Sequence, residues 1–524
     1  MVSKKASWLI VTGIFLLGLI LRTVGLTSYP PALNWDEVSH GFNAYSLLVT
    51  GRDQWRTAFP FPNFRAYGDY PTVLNLYATV PFVAVLGPTD FAIRFPHAIL
   101  GALTCLMLYV LAYRLTPDRY LALFAGLLTA ISPWTFFPSR AVFQSNWIVF
   151  LLSLSLALFY SRRRLLSIGF FALSLFAYHN TKILVPLIMV YFIIKFRSQK
   201  KIVIASIATL LVAVLLLINP QSRARNSWVG ILDSGAISYI EQNRNTSQLP
   251  GLLTKLIYNR PVYFLSSTLS NYLGYFSPKY LFVSGGTQYQ FSVPGFGLLN
   301  PVLLPFYYLG LYLLIKKRHD LLLLWILASP IPGAITRDQF AVIRSTTMIP
   351  AVLMAVVFGV MSLTKSLGKS FLVFLSAAVI IFSGFYYYYF FHDYSNVYSQ
   401  DWQYGYRQVT EFVKQNFDEY DRILITKRYG EPHEFILWYW PWDPQKLLSD
   451  QSFSSDYHDA WYWVGSFSKF TFINDWEMSD FVRDMTKGGK TLVISSPENT
   501  PPGGINLKQI NFLNDQPAFI IKEI

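Results

Sequence analysis

Tyr29-Pro30-Pro31-Ala32-Leu33-Asn34-Trp35-Asp36-Glu37 closes the first long apolar run of this 524-residue chain and ends on two adjacent carboxylates. The run before it, residues 8–26, has the length of a bilayer span, which needs about 20 residues. No small-residue cleavage site follows it, and the paired prolines end it, so it reads as a retained anchor rather than a signal peptide. The two acids therefore stand at a membrane surface. Only ten Asp or Glu occur before residue 392, and five of them (Asp36, Glu37, Asp53, Asp69 and Asp90) lie between Tyr29 and Phe91. Carboxylates gathered beside a membrane suit proton abstraction, cation binding or both.

The composition, 53% hydrophobic and 14% charged, makes a polytopic α-helical membrane protein the expected class. A net charge of +14 would point a soluble chain towards nucleic acid, but here it is unevenly divided. Residues 1–391 carry 31 Lys and Arg against 10 acids, net +21, while the tail from His392 carries 12 against 19, net −7. The basic residues sit in short loops between apolar runs, where they set orientation, so nucleic acid is excluded as a partner. The single Cys105 lies inside an apolar run and offers neither a disulfide nor a metal site.

Eleven apolar runs are expected to span: 8–26, 91–113, 121–138, 142–160, 165–178, 183–194, 202–219, 296–315, 321–335, 340–363 and 371–391. Lys and Arg gather at residues 1–5, 114–119, 161–164, 195–201, 316–320 and 365–369, which the positive-inside rule places in the cytoplasm. A twelfth apolar run, 72–86, would put every later basic loop on the wrong side, and is read as an interfacial or re-entrant helix. The expected topology has the N-terminus inside and the tail outside, with a membrane module at 1–391 and an extracytoplasmic α/β domain at 392–524. Two large outer segments remain, 27–90 and 220–295. In the tail, helical spacing at 406–417 and 480–487, strands at 422–426, 491–495 and 518–522, and a Gly488-Gly489 turn are expected.

The first outer loop, Pro31 to Glu37 with Ala44-Tyr45-Ser46-Leu47-Leu48 and Thr50-Gly51-Arg52-Asp53, resembles that of GT-C glycosyltransferases. The nearest branch is glycosyltransferase family 39, which includes protein O-mannosyltransferases and bacterial aminoarabinose transferases. Gly68-Asp69-Tyr70-Pro71, Gly87 with Phe91-Ala92-Ile93-Arg94-Phe95-Pro96, Ser132-Pro133-Trp134, Ser139-Arg140, Tyr178-His179 and the 337–344 stretch extend the likeness over roughly residues 8–391. The resemblance implies transfer of one sugar from a polyprenyl-phosphate donor to a protein, lipid or glycan acceptor at the outer membrane face, with inversion. It implies Asp36 as general base, with Glu37 and Asp69 beside it as catalytic acids. The leaving lipid phosphate needs cationic donors, for which Arg140, Arg344, Arg94, Lys182 and Arg337 are the candidates. Two departures stand out. Tyr70 follows Asp69 where the aminoarabinose branch has lysine, so that Arg65 or another arginine would have to take its place, and Gln144 stands where relatives often place an acid. No obligatory metal is expected, although the acid loop would suit a divalent cation.

Each residue also has a simpler use. Asp36-Glu37 could cap a helix over 38–48, Asp69 could start the 72–86 helix, and arginines at span ends could be interfacial anchors. His179 could be a hydrogen-bonded core residue. Many spans with a few charges also describe a transporter, and a surface-polysaccharide polymerase or ligase would share the lipid-linked donor. A transporter predicts ionisable residues at mid-depth and matched broken helices, and neither is evident in the sequence.

Overall fold

The computed structural model describes residues 4–221, 229–485 and 489–524. The expected turn at Gly488-Gly489, the end of the helix expected at 480–487, and part of the 220–295 segment fall outside the described residues. The chain forms two compact units. One comprises 1–24, 97–139 and 143–387; the other comprises 25–96, 140–142 and 388–524. This division differs from a boundary at residue 391, because residues 25–96 fold with the tail.

The first unit is helical. All eleven apolar runs fall on helices, among them Lys4–Thr23, Ser145–Tyr160, Arg164–Ser174, Thr181–Lys195, Lys200–Ile218, Leu304–Lys316 and Ile349–Leu367. Among the described residues four helical stretches are long and apolar enough to cross a membrane: Asp90–Leu115, Lys200–Ile218, Val342–Leu367 and Lys369–Val397. A fifth is formed if Arg119–Ile131 and Pro133–Arg140, bent by 61° at Ser132-Pro133, count as one. Leu304–Lys316 packs on Ile349–Leu367 at backbone contact. A Cβ at Gly310 would overlap the Ala355 carbonyl, and one at Gly359 the Phe306 carbonyl, the close approach that small residues permit between apolar helices.

The second unit is built on a seven-stranded sheet of β1 Arg422–Thr426, β2 Ser454–His458, β3 Trp461–Phe467, β4 Phe470–Ile473, β5 Thr491–Ser495, β6 Ile505–Asn511 and β7 Pro517–Glu523, in the order β2-β3-β4-β1-β5-β7-β6. β1 runs parallel to β4 and β5, and the remaining pairs are antiparallel. The central strands β1 and β5 are almost wholly buried, which is why they read as unbroken apolar runs. Ile423, Ile425, Leu492 and Ile494 share one core with Tyr406, Val409 and Val413 of the Tyr406–Gln415 helix and with Phe435–Trp438 of the Pro432–Tyr439 helix. Leu33, Val38, Phe42 and Leu47 from the acid-rich segment 27–90 belong to the same core. The helix Trp35–Thr50 lies so close to Pro432–Tyr439 that a Cβ at Gly41 would strike the Trp438 ring.

Candidate functional site

The Trp35–Thr50 helix opens with a capping box. The Asn34 side chain accepts from the Glu37 N–H at 3.0 Å, and the Glu37 carboxylate accepts from the Asn34 N–H at 3.2 Å. The cap residue is thus Asn34, and Glu37 is the reciprocal acid three residues on. Glu37 is fully buried, and its two oxygens also receive Arg94 Nε at 2.9 Å, Arg94 Nη2 at 2.8 Å and the Val142 N–H at 3.0 Å. The other Arg94 donors go to the carbonyls of Leu26, Pro30 and Ala32, so all five N–H groups of a guanidinium are used inside the protein. Sequence reasoning set Glu37 among the catalytic acids and Arg94 among the phosphate ligands; the structure spends each on the other.

Asp36 differs. It occupies the next position on the same helical turn and is exposed. What fixes it is its neighbour Trp35. The Tyr67 hydroxyl donates to the Trp35 carbonyl at 2.8 Å, and a Cβ at Gly430, which has φ +115°, would overlap the Trp35 ring. Tyr67 stacks on Trp461 at 5.2 Å and 12°, and its carbonyl accepts from the Tyr462 N–H at 2.7 Å. Trp461 Nε1 donates to Glu431 at 2.6 Å, and Glu431 follows Gly430. Trp35, Tyr67, Trp461, Glu431 and Gly430 thus close a ring of contacts behind Asp36. Burial, then the carboxylates of Glu434, Asp36 and Glu431, push the Tyr67 hydroxyl well above its ordinary range, which keeps it a donor. Burial also raises the Glu431 carboxyl, an effect that His433 and the Trp461 donor oppose.

The other acids of the loop divide as follows. Asp53 is buried and accepts from the N–H groups of Trp55 at 3.0 Å and Thr57 at 2.8 Å, closing its own turn; burial raises its carboxyl. Asp90 pairs with Arg407 and accepts from Trp438 Nε1 at 3.1 Å. Asp69 is half-buried, and its carbonyl accepts from the Ala66 N–H at 3.1 Å. It does not cap the Val73–Leu86 helix, whose cap residue is Thr72. Arg65 lies over the rings of Tyr462 at 4.5 Å and Trp55 at 5.5 Å. Arg140 donates through Nε to the Tyr29 carbonyl at 2.8 Å and through Nη2 to that of Gly25 at 3.0 Å.

Within the first unit, Tyr178, His179, Asn180, Lys182, Thr336 and Arg344 line a cavity of about 400 Å³ together with apolar residues such as Leu217 and Phe264. Lys182 donates to His179 Nδ1 at 3.1 Å, and Arg344 donates to Thr336 and to Asp338, each at 2.8 Å. Arg337 is half-exposed, pairs with Asp233 at 3.3 Å and does not line the cavity. Two buried cations beside an apolar wall are chemically suited to an anionic head with an apolar tail. Among the described residues no group of three or more His, Cys, Asp or Glu is arranged to hold a metal ion.

Sequence reasoning missed Tyr67, Trp461, Gly430 and Glu431. Tyr67 directly precedes the Gly68-Asp69-Tyr70-Pro71 motif, whereas the tail residues carried no signal. The capping box was missed too, with the cap expected at Asp36-Glu37, although Asn34 followed three residues later by Glu37 is a helix-start pattern.

No protein-family model and no curated protein matches this sequence. Among solved structures, the chain is similar to an Archaeoglobus fulgidus oligosaccharyltransferase tethered to an acceptor peptide containing the NVT sequon, at 15% identity and a TM-score of 0.47, over 83% of this chain and 63% of that one. It thus spans less than two thirds of the archaeal protein's length. It is also similar to ArnT of Cupriavidus metallidurans bound to undecaprenyl phosphate, at 10% identity and a TM-score of 0.42, over 98% of this chain and 97% of that one.

Proposed function

We propose that this chain is a membrane glycosyltransferase that moves one sugar from a polyprenyl-phosphate carrier to an acceptor hydroxyl or amine at the outer face of the membrane. The observation that carries this reading is the separation of two adjacent acids. Glu37 is buried and paired with Arg94, while Asp36 is exposed on the same rigid first turn. A base must be placed before it can act, and the Glu37–Arg94 pair is the frame that places Asp36.

In the proposed reaction Asp36 takes the acceptor proton as the acceptor atom bonds to the anomeric carbon. The bond from that carbon to the phosphate oxygen breaks, and the carrier leaves as polyprenyl phosphate. With attack opposite the leaving group, the anomeric configuration inverts. Lys182 and Arg344, which line the cavity, are assigned to the charge that grows on the leaving phosphate. Arg140 keeps a candidate role there. Glu37 and Arg94 are assigned to the frame rather than to the chemistry, Asp69 keeps its place as a second candidate catalytic acid, and Arg337 is assigned to its ion pair with Asp233. Eleven spans, with the tail outside, complete the proposal.

The test is turnover of purified protein on a panel of polyprenyl-phosphate sugars, with membrane extract as acceptor. Loss of general-base catalysis in Asp36→Asn lowers turnover by roughly 10²- to 10⁴-fold with donor binding retained. Near-normal turnover in that variant removes Asp36 from the role.

A further inference from the structure

The sequence uses Arg162-Arg163-Arg164 and Lys200-Lys201 only to orient the chain, but the structure brings the two loops to one place. All five side chains line a single cavity of about 530 Å³, with Gln199 and the apolar Leu165, Leu166 and Ile202. The loops are tied together. Arg164 donates to Gln199 Oε1 at 3.1 Å, and its guanidinium lies 4.3 Å from the centre of the Phe196 ring. The Arg162 N–H reaches back to the Phe159 carbonyl at 3.0 Å and the Arg163 N–H to Leu158 at 2.9 Å, with Arg162 held at φ +62°. This turn closes the Ser145–Tyr160 helix and sets three consecutive arginines at the cavity.

The electrostatics are unfavourable as they stand. Among the described residues none of the five cations has an acidic partner, and the cavity lining holds no acid. The cavity also receives the opening turns of Arg164–Ser174 and Lys200–Ile218, neither of which has an acid in that turn or a side-chain cap. Acids are the residues that favour such positive helix ends, and here cations take their place. Like charges at short range cost free energy unless counter-charge arrives, and a local rule broken this way is a mark of function.

The rim identifies the counter-charge. Leu165 and Leu166 are half-exposed at the cavity, and Ile204, Ile207 and Leu211 continue an exposed apolar track along Lys200–Ile218. That helix is one of those apolar enough to span. A ligand fitting both parts needs a phosphate head and acyl chains. We infer that the cavity between 162–166 and 199–202 is a docking site for an anionic phospholipid, with the phosphate among the five cations and the chains along the exposed Ile and Leu track. Basic pockets between spans at a membrane surface bind such headgroups. This inference does not depend on the proposed transferase reaction.

The experiment is native mass spectrometry of the detergent-purified full chain titrated with short-chain phosphatidylglycerol or phosphatidylcholine, with inorganic phosphate as a third arm. At about fivefold per cation near an anionic headgroup, Arg163→Gln/Lys201→Gln loses on the order of 20-fold in phosphatidylglycerol affinity and nothing in phosphatidylcholine affinity. Arg162→Gln/Lys200→Gln repeats the test at the same cavity should the first variant fail to fold. Lys316→Gln/Lys317→Gln removes equal charge from another basic loop and leaves the affinity unchanged. Equal affinity of the wild type for both lipids, or an equal loss in the Lys316/Lys317 control, overturns the inference. So does displacement of bound phosphatidylglycerol by inorganic phosphate at comparable concentration, which would make this a free-phosphate site.

Discussion

Replacing Glu37 by glutamine removes one charge and tests whether the frame behind Asp36 is held as described. Oε1 accepts from Arg94 Nε and the Val142 N–H, and Oε2 accepts from Arg94 Nη2 and the Asn34 N–H. An amide can accept on one side only. Whichever way it is turned, its NH2 group faces two donors, and Arg94 is left as a buried cation on the carbonyls of Leu26, Pro30 and Ala32. Breaking a buried pair in this way costs about 3–5 kcal/mol. At ~2–4 °C per kcal/mol for a unit of this size, Tm falls on the order of 10 °C. Thermal unfolding in detergent, followed by tryptophan fluorescence, reads it. The Glu37→Gln/Arg94→Met double variant removes the stranded cation and recovers part of the loss, which a double-mutant cycle measures. A shift below about 2 °C for Glu37→Gln would refute the claim that the pair frames this turn, because fewer than ~1 kcal/mol would then depend on it.

His40 is buried, its Nε2 sits 3.0 Å from Thr79 Oγ1, and burial lowers its pKa to about 3. The unfolded chain binds a proton near pH 6.5 that the folded one refuses, so its contribution to stability is complete above that pH and is lost as pH falls towards 3; Tm of His40→Gln therefore varies less than wild type between pH 6.5 and 4. Tyr67→Phe removes the hydrogen bond to Trp35 but keeps the stack on Trp461. One hydrogen bond is worth about 1 kcal/mol of stability, so Tm moves by a few degrees, while loss of Asp36 placement lowers kcat about tenfold with donor KM unchanged. Equal falls in kcat and folded fraction would reduce Tyr67 to a structural part. Phe61 and Gln451 are exposed and Cys105, the single cysteine, is buried, so Phe61→Cys and Gln451→Cys should both react with a membrane-impermeant maleimide on intact cells; a protected Gln451→Cys counts against eleven spans.

The helices, the central strands and the loop that carries the acids were legible because each has a local signature. β1 and β5 were read to the residue, since a strand buried on both faces is a short unbroken apolar run. Of the other strands only β7 was anticipated: β2 and β6 are exposed edge strands of polar sequence and carry no alternation towards a core, and β3 and β4 were missed as well. The division at residue 391 followed the drop in hydropathy, whereas the compact unit is set by packing of Leu33, Val38 and Phe42 into the core of the tail. Long-range packing of this kind leaves no mark on either segment alone.

The adjacent acids show most sharply where sequence reasoning stops. Neighbouring residues on a helix point about 100° apart, so Asp36 and Glu37 could never share one environment once the first turn formed. Which of them turned inwards was decided by Asn34, whose side chain takes the Glu37 N–H and whose own N–H calls the Glu37 carboxylate back to the helix start. With Glu37 drawn inwards, a buried cation was required, and Arg94 supplies it from 57 residues further along. Asp36 is then the acid that remains at the surface, and its direction is a consequence of its neighbour's burial. The same reasoning extends to the tail. Gly430 admits the Trp35 ring only because it has no Cβ, and Tyr67 reaches the Trp35 carbonyl only because Trp461 supports its ring. A domain with no legible motif of its own thereby sets the position of the residue proposed to do the chemistry.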